Sequence, residues 1–251
     1  MKKLTVVLSI LVLTSCNQPT KKNKTTAKQD LSDTTRVSGG EPTGFGGNWV
    51  NKKYLDKLLE TKSPIASQDV VGIPVLTLPE ETNQVAWVIW YFDEAEVDTV
   101  KRKDGKFSIH AYGDERELTL SLENDILKTE EGEFIKFNND ETHRENIAEQ
   151  FLFAGTYNWK GKQVELTKEG KVIGIDTVSG YNVLLSEPHT IDLDGDQLRL
   201  ESHSGDSNPY GFEFSADTLT IYELEAIYSE EYEGMIVAVK NGKVLYKMIK
   251  E

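Results

Sequence analysis

The chain has 251 residues, 42 Asp and Glu against 28 Lys and Arg, a formal net charge of −14 and a single cysteine. That balance argues against nucleic acid as a partner, because affinity for a phosphate backbone comes from Lys and Arg. A lone cysteine excludes an internal disulfide and any Cys-x-x-Cys metal or redox site.

The chain opens Met1-Lys2-Lys3 and continues into the uncharged apolar run LTVVLSILVL, Leu4 to Leu13. A basic start followed by a short apolar run is the layout of a secretory signal. As a helix the run spans about 15 Å, roughly half the hydrocarbon thickness, and no other segment approaches ~18 consecutive apolar residues. No transmembrane helix is therefore predicted. Leu13-Thr14-Ser15-Cys16 then resembles the lipobox of bacterial lipoproteins: a branched apolar residue, two small residues and the cysteine. The resemblance implies a diacylglycerol on the Cys16 thiol, cleavage after Ser15 and acylation of the new amino group, with residues 1–15 as the signal peptide. Acyl chains anchor because each buried CH₂ contributes about 0.8 kcal/mol. The alternative is an ordinary secretory signal with a cysteine by chance at its cleavage site. Asn17 is not the aspartate that retains enteric-type lipoproteins in the inner membrane, which favours the outer membrane with the protein facing the periplasm.

Residues 16–43 are almost free of apolar side chains and rich in Lys, Thr, Ser, Gly and Pro. Such a segment cannot bury enough surface to offset its ordering entropy, so a disordered tether is expected. Lys21, Lys22, Lys24 and Lys28 either lie near anionic head groups or belong to an ordinary solvated linker. Signal and tether are both net basic, so residues 44–251 carry the acid, and they are long enough for a sizeable core.

In that region Asn51 to Glu60 predicts a helix that plugs or flanks one end of a sheet, with Tyr54, Leu55, Leu58 and Leu59 on one stripe. Asn51 suits the N-cap and Ser63-Pro64 a stop. VAWVIWYF, Val85 to Phe92, reads as a strand covered on both faces, its tryptophans at the centre of the core. Clean alternation marks half-buried strands at Leu118–Leu122, Val164–Thr167, Leu198–Glu201, Phe212–Phe214 and Leu219–Tyr222. Asp104-Gly105, Glu131-Gly132, Glu169-Gly170, Asp194-Gly195 and Asn241-Gly242 are hairpin signals between such runs. The fold class is all-β: an antiparallel meander that closes into a barrel, with one short helix near the start of the folded part.

Gly47-Asn48-Trp49 and Gly155-Thr156-Tyr157-Asn158-Trp159 each follow aromatics, Phe45 in the first case and Phe151 and Phe153 in the second. Each opens about 100 residues of β pattern. One reading is a single domain over 44–251, favoured by the lack of a Pro/Gly-rich linker near 145. The other is two small tandem barrels, 44–150 and 151–251. The Gly-x-Trp opening of an up-and-down meander resembles the lipocalins and their calycin relatives. AGTYNWKGKQVELTKEGKVIGI, GYNVLLSE and YGFEFSADTLTIYEL are similar to lipocalin-like domains of bacterial lipoproteins. The resemblance implies a lipocalin-like barrel, a cup for a small apolar molecule. Many lipocalins pack an arginine from the last strand over the tryptophan; here VLYKMIKE offers lysines.

No GxSxG, HExxH, P-loop or GxGxxG pattern occurs, so no catalytic residue, metal site or cofactor is expected. Among His110, His143, His189 and His203 none pairs at metal-binding spacing, and His110 reads as a surface or hydrogen-bonded histidine. Asp192-Leu193-Asp194-Gly195-Asp196 departs from the EF-hand loop, with its glycine early and His203 where that loop places Glu, and reads better as a hairpin turn. Trp49, Trp87, Trp90 and Trp159 either line a ligand cavity or pack the core. Three functions remain. The favoured one is a non-enzymatic, membrane-anchored carrier of a small apolar ligand. Behind it stands a structural or protein-interaction module with a filled barrel. An enzyme acting on envelope glycan or lipid has the least support.

Overall fold

The computed structural model describes residues 40–251 except 91–93, 112–115, 140–144, 186–191, 194, 231 and 233. At Trp90, Glu94, Asp192 and Leu193 it describes the backbone only. The signal segment, nearly all of the tether and Cys16 lie outside the described residues, as do His143 and His189. No helix among the described residues is long and apolar enough to cross a membrane.

The described residues are all-β in class and antiparallel, apart from one short parallel pair among them, and the meanders nearly close on themselves. The first sheet holds β1 (Gly47–Asn51), β2 (Val75–Leu78), β3 (Val85–Trp90), β4 (Glu94–Thr99), β5 (Lys101–Lys103), β6 (Lys106–Ala111), β7 (Arg116–Glu123), β8 (Ile126–Thr129) and β9 (Gly132–Asn138). β9 returns to pair with β1. β4 and β5 are nearly one strand bent at Val100, pairing with β3 before the bend and with β6 after it. Across the bend, the His110 amide donates to the Asp98 carboxylate at 2.5 Å.

The second sheet holds β10 (Gly155–Trp159), β11 (Lys162–Leu166), β12 (Val172–Ile173), β13 (Gly180–Val183), β14 (Asp192–Leu193), β15 (Asp196–Glu201), β16 (Ser207–Ser215), β17 (Thr218–Tyr228) and β18 (Ile236–Lys250). β18 pairs with β10, and a bridge between Lys171 and Gly180 joins the β12 side to β13. In both sheets alternate residues point inward, as a pleat with period two requires. Leu118 and Leu120 fill the first interior, and Val164, Leu166, Leu198, Phe212 and Leu219 the second.

Between β1 and β2 lies a ten-residue α-helix, α1 (Lys52–Thr61), followed by a 3-10 turn over Ile65–Val70. Asn51 caps α1 as its sequence suggests, accepting from the Lys53 amide at 3.0 Å, a contact of about 1 kcal/mol. Tyr54, Leu55 and Leu58 are buried in a cluster shared with the second sheet. Leu59 is not: it is 45 % exposed, so the buried stripe is narrower than its spacing suggests.

Three local expectations are corrected. β3 is covered on both faces only towards its end: Ala86 and Val88 point into the first interior and Ile89 is buried in the other cluster, but Val85 is 52 % exposed and Trp87 half-buried. Asn241-Gly242 is no turn, since it lies within the fifteen-residue β18, where the register with β17 shifts. Asp192–Leu193 is no hairpin arm either; it runs parallel to Ala238–Val239 of β18. Asp104-Gly105 does turn the β5–β6 hairpin, with φ of 53° and 79°, the mirror-image turn that suits strand twist.

Candidate functional site

Both sheets begin with the same seat. Trp49 lies two residues after Gly47 and donates its indole N–H to the Phe45 carbonyl at 2.6 Å. Tyr157 lies two residues after Gly155 and donates its hydroxyl to the Phe153 carbonyl at 2.6 Å. The last strand of each sheet then lays a lysine over the ring: Lys136 Nζ is 5.8 Å from the Trp49 ring and Lys250 Nζ 5.7 Å from Tyr157. Glycine is needed beside each because φ is 118° at Gly47 and 150° at Gly155, and an added Cβ would strike the lysine stem. The sequence shows the Gly-x-aromatic spacing; the lysine partner comes from the closure of each sheet, which no local pattern reveals.

The tryptophans are not gathered at one site. Trp49 is buried in the first interior. Trp87 is half-buried on β3, opposite Val97 in register. Trp159 packs edge-on against Tyr246, and the Lys160 ammonium lies 5.0 Å from its ring. Trp90 lies on β3, but its side chain lies outside the described residues. None of the cavities described below is lined by Trp49, Trp87 or Trp159.

The second interior is packed. Leu166, Tyr181, Leu198, Ile221, Tyr246 and Met248 converge on a void of about 10 Å³, entirely apolar in its lining. That is about the space of one water, which would find no polar partners there. A wide polar depression lies elsewhere, between Glu41, Thr82, Arg102 and Asp104, with Arg102 and Glu41 joined as an ion pair.

Two carboxyls are buried where α1 meets the second sheet. Glu149 begins a π-helical turn over Glu149–Phe153 that leads into the Tyr157 seat. One of its oxygens accepts from the Val183 amide at 2.6 Å, while the other has no partner among the described residues. Burial pushes its pKa up to about 7, the Val183 bond opposes that, and the Glu145 charge adds to it. Asp196 accepts from the Ile65 amide at 2.9 Å and from the Ser63 side chain. Burial raises its pKa as well, against the pull of those two donors. Asp196 thus caps the 3-10 turn and ties the α1 connection to β15, and neither carboxyl lines the cavities described. Asp194 and the Asp192 side chain lie outside the described residues. Among the described residues no cluster of His, Cys, Asp and Glu could hold a metal. His110 contacts Asp98 at 3.3 Å, and His203 is exposed.

A cleft of about 140 Å³ opens beside the Tyr157 seat. Leu59, Phe151, Leu152 and Phe214 wall it, and Lys62, Lys250 and Asp217 supply its charge. Lys62 Nζ donates to the Ala216 carbonyl at 2.6 Å, and Lys250 Nζ to the Leu152 carbonyl at 3.0 Å. Burial lowers the Lys250 pKa, the Lys62 ammonium lowers it further, and Asp217 opposes them.

No family model, curated protein or solved structure matches this chain.

Its remaining distinctive surface is the outer half of the β17–β18 hairpin. Ile227, Tyr228, Tyr232, Met235, Ile236 and Val237 are all exposed there. Beyond Tyr222, β17 has no strand partner on its β16 side among the described residues. Glu223, Glu225 and Glu230 are exposed along the same arm and its tip. The signal for this surface was in the sequence: β17 and β18 keep apolar residues past the point where alternation stops serving an interior.

Proposed function

We propose that the protein is a lipid-anchored interaction module of the bacterial cell envelope, working through its outer surface. In this reading Cys16 carries the anchor and the tether holds the lipocalin-like folded part off a membrane. Asn17 favours the outer membrane, with the folded part facing the periplasm. The observation that carries the reading is the second interior, where the void among the described residues is about 10 Å³. Drug-sized ligand sites need about 300–1,000 Å³. The filled-barrel function is therefore better supported than the carrier of an apolar molecule. The lysine over each Gly-x-aromatic seat supports the lipocalin-like resemblance, standing where that resemblance leads one to look for an arginine.

The hairpin arm is the surface assigned to the partner. Exposed Ile227, Tyr228, Tyr232 and Met235 offer apolar area, and the open β17 edge offers unpaired backbone groups. Exposed Glu223 and Glu230 flank both, Glu225 being paired with Lys240, so the partner is a protein with an apolar patch and a basic rim.

Two measurements on the full chain test this. Native mass spectrometry of protein from its own envelope should give a clean mass, and a stoichiometric apolar adduct would overturn the filled-barrel reading. A photo-crosslinker at Tyr228 should trap one discrete envelope protein in living cells, whereas one at Lys168, far along the chain on an exposed turn, should not. Equal patterns from both positions would sink the assignment of the hairpin.

A further inference from the structure

We infer that the cleft between the end of α1, the Glu149–Phe153 turn and the β16–β17 turn binds a carboxylate carried on a short apolar group. The inference goes beyond the proposed function and does not depend on it.

Two ammonium groups face one cleft of about 140 Å³ in a strongly acidic protein, and neither makes an ion pair among the described residues. Each donates to one backbone carbonyl, while an ammonium has three donors. Lys62 is placed by an unusual backbone: it ends α1 at φ 55°, where glycine is the favoured residue. Its ammonium lies over the Phe214 ring at 6.0 Å. Leu59, exposed at the cleft rim, breaks the helix's buried stripe for no packing gain within the helix. Apolar walls of Leu59, Phe151, Leu152 and Phe214 favour an anion with an apolar body over a bare phosphate. Asp217 on the same rim disfavours a second negative charge, which selects a carboxylate. At about 140 Å³, well short of a drug-sized site, the cleft admits a short apolar group. A free short-chain acid and the C-terminal residue of a peptide both present this chemistry.

The test is calorimetric titration of the full chain with hexanoate, hexan-1-ol, and a tripeptide ending in leucine as its acid and as its amide. Hexanoate should bind once per chain and at least tenfold more tightly than hexan-1-ol. Lys62→Met and Lys250→Met should each weaken hexanoate at least tenfold. Leu59→Glu, at an exposed position that leaves the fold alone, should do the same and keeps the test decisive if a lysine variant misfolds. If the peptide acid binds more tightly than hexanoate and its amide fails, the source is a chain terminus; the reverse order indicates a free acid. Equal binding of hexanoate and hexan-1-ol, no saturable binding, or full binding by Leu59→Glu overturns the inference.

Discussion

The two sheets start from the same local device and put it to different ends. In the first, Lys136 lies over Trp49 and is exposed to solvent. In the second, Lys250 lies over Tyr157 but is half-buried, its pKa lowered by burial and by Lys62. The difference does not lie in the seats themselves, whose spacing, hydrogen bond and lysine distance nearly coincide. It lies in what stands beside them. α1 is inserted between β1 and β2 of the first sheet, yet Tyr54, Leu55 and Leu58 belong to the cluster that fills the second. Its C-terminal end, with the Glu149–Phe153 turn, walls in the Lys250 seat. A lysine–aromatic seat becomes a recess with altered electrostatics only when another element covers it.

That contrast breaks most visibly at the phenylalanines. Phe153 is fully buried and meets the rings of Tyr181, Phe212 and Phe214, whereas among the described residues Phe45 meets the ring of Phe107 alone. Truncating a buried Phe costs about 3–5 kcal/mol. Phe153→Ala should reach the top of that range in urea unfolding and Phe45→Ala the bottom; a reversed order would mean that the second cluster relaxes around the gap.

The buried carboxyl sharpens the same comparison through pH. Glu149 titrates near 7 in the folded chain against an ordinary value of 4.5, so the folded state holds the proton more tightly than the unfolded one. Its contribution is fully present below about pH 4.5 and is lost as pH rises towards 7, about 3 kcal/mol in all. Glu145, Tyr54 and Tyr181 are the titratable groups that interact with it electrostatically. Asp196, also raised, adds a loss of the same sign. Stability measured from pH 4.5 to 7.5 should therefore fall, and Glu149→Gln should flatten much of that fall. An unchanged slope in the variant would place the proton elsewhere.

The glycines distinguish the seats on a smaller scale. A Cβ at Gly47 would meet the Asn138 backbone carbonyl as well as Lys136, whereas at Gly155 the nearest atoms it would meet are those of the Lys250 side chain. Backbone cannot step aside as a lysine stem can, so Gly47→Ala should cost about 1–3 kcal/mol and Gly155→Ala less. Thermal melts of the two variants decide it.

How much of this was legible depended on the range of the interaction. The α1 N-cap, the Asp104-Gly105 turn and the inward leucines follow from period and turn chemistry within a few residues, and the sequence shows them. Asn124-Asp125 and Lys160-Gly161 also turn hairpins with both φ positive, although they are weaker signals than Asn-Gly. Asn241-Gly242 misled because a strand with a register shift tolerates residues that elsewhere make a turn. The cleft was not legible at all. Lys62 and Lys250 stand at opposite ends of the folded sequence and meet only because α1 packs on a sheet it is not part of.

The smallest effect tests the lysines directly. A solvent-exposed ammonium over a ring contributes about 0.5–1 kcal/mol, so Lys136→Met should destabilise by roughly that amount. Lys250→Met loses a similar ring contact but also removes a half-buried charge that faces Lys62, and the two changes oppose each other. Its unfolding midpoint in urea should stay close to that of the parent or rise above it. If Lys250→Met instead costs more than Lys136→Met, the ring and the Leu152 carbonyl outweigh the strain of two close cations. The second seat would then be a structural staple, with no pull left for an added anion.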